Sequence, residues 1–169
     1  MSVLVVGSVA LDSVETPFGK AEDVLGGSGT FFSASASHLT PVQLVGVVGS
    51  DYPVDQLEPL ARRGVDLAGL ETAEGNSFRW RGRYRHDLNS AETLETHLGV
   101  FSHFAPKIPQ QFRNAPFVFL ANIDPRLQLQ VLDQVEQPKL VACDTMNFWI
   151  ESRRPELLEL LGLTAPDRM

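Results

Sequence analysis

The sequence predicts an α/β protein built on a mainly parallel sheet, and three observations carry that reading. Val3-Leu4-Val5-Val6, Leu44-Val45-Gly46-Val47-Val48-Gly49 and Phe117-Val118-Phe119-Leu120-Ala121 are apolar runs without polar alternation, the pattern of strands covered on both faces. Residues with helical spacing alternate with them, at 31–39, 57–61 and 127–135, as in βαβ units. The chain of 169 residues is 43% hydrophobic and 21% charged, enough for a sizeable core in one large domain or most of one.

Taken in order, Val3 to Val6 form a strand closed by Gly7. Leu25-Gly26-Gly27-Ser28-Gly29 punctuates the chain before a tightly packing helix through Phe31, Phe32, Ala34, Ser35, Ala36 and Leu39, which ends ahead of Pro41. Val42 to Val48 is the next buried strand; it breaks at Ser50-Asp51 before a helix carrying Leu57, Leu60 and Ala61 that Gly64 closes. From Phe78 to Arg85 the period changes to 2, with Arg79, Arg81, Arg83 and Arg85 on one face and Phe78, Trp80, Gly82 and Tyr84 on the other. Such a half-exposed strand belongs to a small antiparallel flap beside the main core. Residues 87–115 stay open: Leu94, Leu98 and Phe101 share a helical spacing, but Gly99, Pro106 and Pro109 interrupt it.

Buried structure returns with the strand at Phe117 to Ala121, Asp124-Pro125 as N-cap and first turn, and a helix through Leu127, Val131 and Val135. Leu140 to Cys143 completes a βαβ unit. Pro155 opens a short helix through Leu158 and Leu161 that Gly162 closes, and the chain reaches Met169 without the strand a crossover delivers. The reading is a truncated domain without internal repeats.

Charge and cysteine use narrow the function. Lys plus Arg number 14 against 21 Asp plus Glu, a net charge of −7, which disfavours nucleic acid as a partner. The single cysteine, Cys143, and an amino terminus without a basic signal region point to a reducing, cytoplasmic setting. No apolar run reaches the about 18 residues that span a bilayer, so no membrane partner is expected. His38, His86, His97 and His103 lack an H-E-x-x-H arrangement, and no protein-held transition metal is expected. No Walker loop, G-x-G-x-x-G fingerprint or G-x-S-x-G elbow occurs.

In open parallel sheets ligands bind beyond the carboxyl ends of the strands. Asp12, Asp51, Asp124 and Asp144 each stand just past a predicted strand. There they either grip sugar hydroxyls or a metal, or serve as turn and cap residues, the reading that weighs first for Asp51 and Asp124. Gly26-Gly27 either lets bare backbone approach a ligand or makes a hinge. The arginines at 79–85 form either an anion stripe or a charged guard on a sheet edge. Trp80 and Tyr84 either cover a sugar ring or simply pack.

Gly7-Ser8-Val9-Ala10-Leu11-Asp12, Gly26-Gly27-Ser28-Gly29-Thr30-Phe31-Phe32-Ser33-Ala34 and Val45-Gly46-Val47-Val48-Gly49-Ser50-Asp51 resemble, in order and spacing, the opening of the ribokinase-like (PfkB) carbohydrate kinases. The likeness continues through Phe78 to Arg85, Ala121-Asn122-Ile123-Asp124-Pro125 and Asp144-Thr145-Met146-Asn147. It implies a three-layer sandwich with a small β lid, truncated on its C-terminal side, with residues 1–169 as the N-terminal part of one kinase domain and lid strands near 13–25 and 65–86. By the same resemblance Asp12 binds substrate hydroxyls and Gly26-Gly27 line the sugar site at the hinge. Phe31 stands where the family often has asparagine, with Ser28 nearest to replace that polar contact. The loop from Asn122 to Asp124 belongs to the substrate side, and Asp144 and Asn147 to the edge facing the nucleotide.

The family's catalytic base lies in a Gly-Ala-Gly-Asp-type signature that does not occur in residues 1–169. No catalytic residue is therefore expected in this chain, and the chain alone is expected to be inactive. The resemblance implies ATP and Mg2+ as cofactors of the full-length parent, a sugar as its substrate, and a homodimer formed through the lid. Two other functions compete: a non-catalytic sugar-binding module, and a nucleoside kinase using Trp80, Phe31 and Phe32 as stacking surface.

Overall fold

The computed structural model describes residues 1–164; residues 165–169, and with them the reading of the chain's end at Met169, lie outside it. The buried run Val3–Val6 is β1, and the chain turns at Gly7 and Ser8 directly into β2 (Ala10–Thr16). A hairpin returns β3 (Gly19–Gly26) antiparallel to β2, and Gly27 leads into α1 (Ser28–Ala36). After β4 (Val42–Gly49), a 3-10 turn and α2 (Glu58–Arg62) lead to β5 (Val65–Ala73). Then come β6 (Phe78–Tyr84) and β7 (Ala91–His97), 3-10 turns at Gly99–His103 and Gln110–Phe112, and β8 (Phe117–Leu120). The chain continues through α3 (Pro125–Leu132), β9 (Leu140–Cys143), α4 (Asn147–Ser152) and α5 (Arg154–Thr164).

The strands make two sheets. The larger is parallel throughout, in the order β5-β4-β1-β8-β9. Its faces are covered separately, as period-2 side chains dictate. Val3 and Val5 of β1 join Leu44 and Val48 of β4 in a cluster with Phe32 of α1 and Leu60 of α2. Leu4 and Val6 face the opposite cluster, with Phe112, Val131 of α3 and Leu157 and Leu160 of α5. Each such buried aliphatic side chain contributes about 1.5–3 kcal/mol relative to exposure. No helix among the described residues is long and apolar enough to cross a membrane.

The smaller sheet has the order β3-β2-β6-β7. Residues 65–73 do not join it, contrary to the expected lid range of 65–86. Gly64, at φ 91°, turns the chain so that Val65 pairs with Val42 and β5 becomes an edge of the large sheet. Only β6 from that range lies in the small sheet. The sheet is also mixed: β6 runs parallel to β2 and antiparallel to β7. Its fourth strand comes from the segment left open, where Leu94 lies in β7 rather than on a helix. Gly162 does not close the last helix, which runs on to Thr164 with space around that glycine, and α4 carries no strong sequence signal.

Because β1 passes straight into β2, the small sheet springs from the carboxyl end of the large one. Asp12, Gly26, Gly27 and Ser28 are thereby drawn to that junction.

Candidate functional site

Close backbone approach builds the junction. A side chain at Gly7 would come within 2.5 Å of the Ala121 Cβ and 3.0 Å of the Gly29 backbone, so glycine alone lets β1, α1 and the end of β8 converge. The Gly29 N–H donates to the Ser8 carbonyl (3.0 Å), and the Ser28 N–H donates to the Ser8 hydroxyl (3.0 Å). The Ser8 and Ser28 hydroxyls lie 3.0 Å apart, and Ser28 Oγ donates to the Asn122 carbonyl at 3.3 Å. Three separated stretches of sequence thus meet through serine hydroxyls.

Asp12 lies beside this knot. In the register of β2 and β3, Ala10 faces Gly26 and Asp12 faces Val24, which puts the Asp12 side chain diagonally over Gly26. A Cβ on Gly26 would overlap the Asp12 carboxylate. The register shifts immediately after Asp12, a bulge of the kind that re-aims a strand side chain. Burial pushes the Asp12 carboxyl above its ordinary pKa, while the Gly27 backbone N–H acts in the opposite direction. Tyr52, 5% exposed, packs nearby; its phenol is pushed up to about 12 by burial and by the Asp12 charge, and its hydroxyl has no hydrogen-bond partner among the described residues.

The other residues singled out from the sequence separate into groups. Phe31 is 57% exposed on the first turns of α1, whereas Phe32 stacks on Phe119 at 3.6 Å between ring centroids and belongs to the core. Trp80 covers Gly82 and donates to the Thr93 hydroxyl (3.2 Å), so its ring packs on its own sheet. Phe32 and Trp80 are therefore not free stacking surfaces. Asn122 is close through its backbone, but its side-chain oxygen accepts from Trp149 Nε1 (2.9 Å). Asp124 caps α3, accepting from the Arg126 N–H (2.9 Å), and its other oxygen accepts from Arg153 Nε (3.3 Å). Asp144 and Asn147 are exposed beyond β9, two strands from β1, and do not join Asp12.

Asp51 is a fastener. It accepts from the Ser77 N–H and hydroxyl, both 2.7 Å, and from Arg79 at 2.6 Å. The arginine stripe is largely neutralised: Arg79 pairs with Asp51 and Asp23, Arg81 with Glu95 and Arg83 with Glu15. Little free charge is left for an anion site, and the expected edge guard does not hold either, because β6 is paired on both sides, with β2 and with β7, and is an interior strand. Among the described residues no group of three or more His, Cys, Asp or Glu is placed to hold a metal ion. Ser8, Tyr52, Trp149 and Arg153 had no individual signal in the sequence, because their neighbours are supplied by distant segments.

No protein-family model matches the chain. Among curated proteins it is 25% identical over 138 residues to a cytidine kinase of Thermococcus kodakarensis, covering 80% of this chain and 49% of that protein. The chain thus spans about half the length of the curated relative it matches. Among solved structures, a nucleoside kinase of Methanocaldococcus jannaschii, an archaeal member of the ribokinase family, superposes with a TM-score of 0.69 at 19% identity, over 96% of this chain and 58% of that one. Ribokinase from Cryptococcus neoformans var. grubii, in complex with ADP, gives 0.69 at 18% identity, over 86% and 49%. The chain has the α/β fold of these ribokinase-like proteins along part of their length.

Proposed function

We propose that this chain carries the acceptor-binding half of an ATP-dependent kinase that transfers the γ-phosphoryl group to a hydroxyl of a sugar or sugar-bearing molecule. The observation that carries the reading is the half-buried Asp12 carboxylate laid across Gly26, beside Gly27 and Ser28, where the two sheets part. A carboxylate accepts from hydroxyl donors, and the missing side chain at Gly26 gives the Asp12 carboxylate the place it occupies beside the diglycine. Ser28 adds a hydroxyl at the same place. Asn122 and Asp124 border the acceptor, and Asp144 and Asn147 face the nucleotide side.

In this reading Asp12 orients the acceptor, and the base that takes its proton, with the backbone groups that stabilise the transferred phosphoryl, is not among residues 1–169. The chain alone therefore binds without turnover. Mg2+ would accompany ATP, but no group of three or more His, Cys, Asp or Glu among the described residues is placed to hold it. The single cysteine supports a reducing, cytoplasmic setting, and the exposed strands β3 and β7 of the small sheet would form the homodimer contact.

Isothermal titration with ribose and with cytidine tests the reading. Replacing Asp12 by Asn removes charged hydrogen bonds and should weaken binding about 10- to 100-fold. Affinity should also fall as pH drops through the raised carboxyl value, since the ionised form is the acceptor. Binding that is absent in the wild type, or unchanged in Asp12→Asn, would sink the proposal. A nucleoside acceptor is favoured over a free sugar by the exposed ring of Phe31 beside the diglycine and by the likeness to a cytidine kinase; cytidine binding more tightly than ribose is its mark.

A further inference from the structure

We infer that Trp149 and Arg153 are positioning residues for the candidate site, presetting the side chains of Asn122 and Asp124 from α4 and its C-cap; the inference rests on the acceptor-binding reading above. The helix α4 has six residues, and none of them is buried. Its Trp149 indole reaches Asn122 Oδ1 in the loop after β8, and the guanidinium of Arg153, the residue that caps its C-terminal end, reaches Asp124 Oδ2. Both partners lie on the loop whose Asn122 carbonyl is already tied to Ser28 beside the diglycine.

The chemistry of the indole gives this contact a direction. Indole N–H only donates, so Asn122 must turn its carbonyl oxygen to Trp149, and its amide group, with two N–H donors, faces away. Held this way, Asn122 meets a ligand only as a donor, and the ligand atom there is an acceptor: a hydroxyl or ring oxygen, or a carbonyl. Asp124 is fixed in the same fashion, one oxygen on the Arg126 N–H at the start of α3 and the other on Arg153. The Arg153 N–H in turn donates to the Trp149 carbonyl (2.8 Å), and the Leu157 N–H to the Arg153 carbonyl (2.9 Å), so both positioning groups are carried on one backbone braced by α5. Edge-on packing of Phe148 against Trp149, with centroids 4.8 Å apart, limits the indole's rotation.

Two measurements on the full chain test the inference. In titrations with cytidine and with ribose, Trp149→Phe keeps an aromatic ring and deletes the donor, and should weaken the bound ligand about 5-fold while lowering the melting temperature by only about 3 °C. Arg153→Leu should give a similar loss and Arg153→Lys recover part of it. Independently of any ligand, the Trp149 indole resonance in proton–nitrogen spectra, distinguished from the other indole with Trp80→Phe, should shift and exchange faster in Asn122→Leu. Unchanged affinity in Trp149→Phe, or an indole resonance indifferent to Asn122→Leu, overturns the inference. If the wild type binds neither ligand, the acceptor-binding reading fails, and with it the link to recognition, whereas the resonance still decides whether Trp149 holds Asn122.

Discussion

Gly26 and Gly27 adjoin in the chain yet exclude a side chain for different reasons, and the difference separates binding from stability. At Gly26 the obstacle is the Asp12 carboxylate, the movable end of a side chain, and the backbone angle is ordinary. Gly26→Ala should displace Asp12 and abolish ligand binding while lowering the melting temperature by only about 3 °C, the effect of about 1 kcal/mol in a chain of this size. Gly27 has φ 93° and ψ 145°, and a Cβ there would come within 2.7 Å of the Ser8 carbonyl carbon, which is backbone and cannot swing aside. Gly27→Ala should cost about 3 kcal/mol or more and about 10 °C. Differential scanning calorimetry of the two variants checks the contrast; equal losses would mean that Asp12 is as rigid as the backbone. In the sequence the two glycines look alike, because a glycine pair states that room is needed but not what occupies it.

Among the elements, the joint between β4 and β6 shows how a charge can be structural. Gly49 N–H donates to the Ser77 hydroxyl, which donates to Asp51, and Asp51 also receives the Ser77 N–H and Arg79. Burial raises the Asp51 carboxyl, but the Ser77 hydroxyl and Arg79 together outweigh it and hold the group below its ordinary value of 3.8. Its stabilising contribution is therefore present above 3.8 and disappears as pH falls through the lowered folded value. Asp51→Ala should lose about 2–3 kcal/mol in urea titrations at neutral pH, because it leaves the buried Ser77 N–H unpaired, and the deficit should shrink in strong acid, where the protonated carboxyl still accepts from Ser77 but loses its charge pairing with Arg79. A deficit independent of pH would assign the effect to packing. A comparable staple, Gln128 of α3, is fully buried and shares its side-chain N–H donors among the carbonyls of Leu120, Ala121 and Asp144, fixing the ends of β8 and β9. Neither joint is legible from spacing: Asp51 reads as an ordinary turn residue and Gln128 as a polar helix position, since hydrogen-bond partners 26 residues apart, as Ser77 is from Asp51, leave no local pattern.

Across the whole molecule, both faces of the large sheet are packed, but the side formed by β9, α4 and α5 presents Leu140, Phe148, Ile150, Leu158 and Leu161 to solvent. Apolar surface of that kind favours association in water. Sedimentation of the isolated chain should show self-association that rises with concentration and is reduced by Leu158→Glu with Leu161→Glu; a monomer melting sharply and reversibly would contradict this, and association indifferent to both changes would move the contact to the small sheet. By itself the sequence determined the alternation of strands and helices and the parallel sheet, because unbroken runs such as Val3 to Val6 admit few other burials, and its ordered glycine and aspartate motifs already pointed to a ribokinase-like fold. That β5 pairs in the large sheet, that 91–97 is a strand, and that Asp12 stands over Gly26 while Asp51 and Asp124 bind groups of the protein itself emerged with the fold. The reason is physical: burial of a run depends on its own side chains and is written locally, whereas pairing, register and the partner of a carboxylate are properties of two segments and exist only once the chain has brought them together.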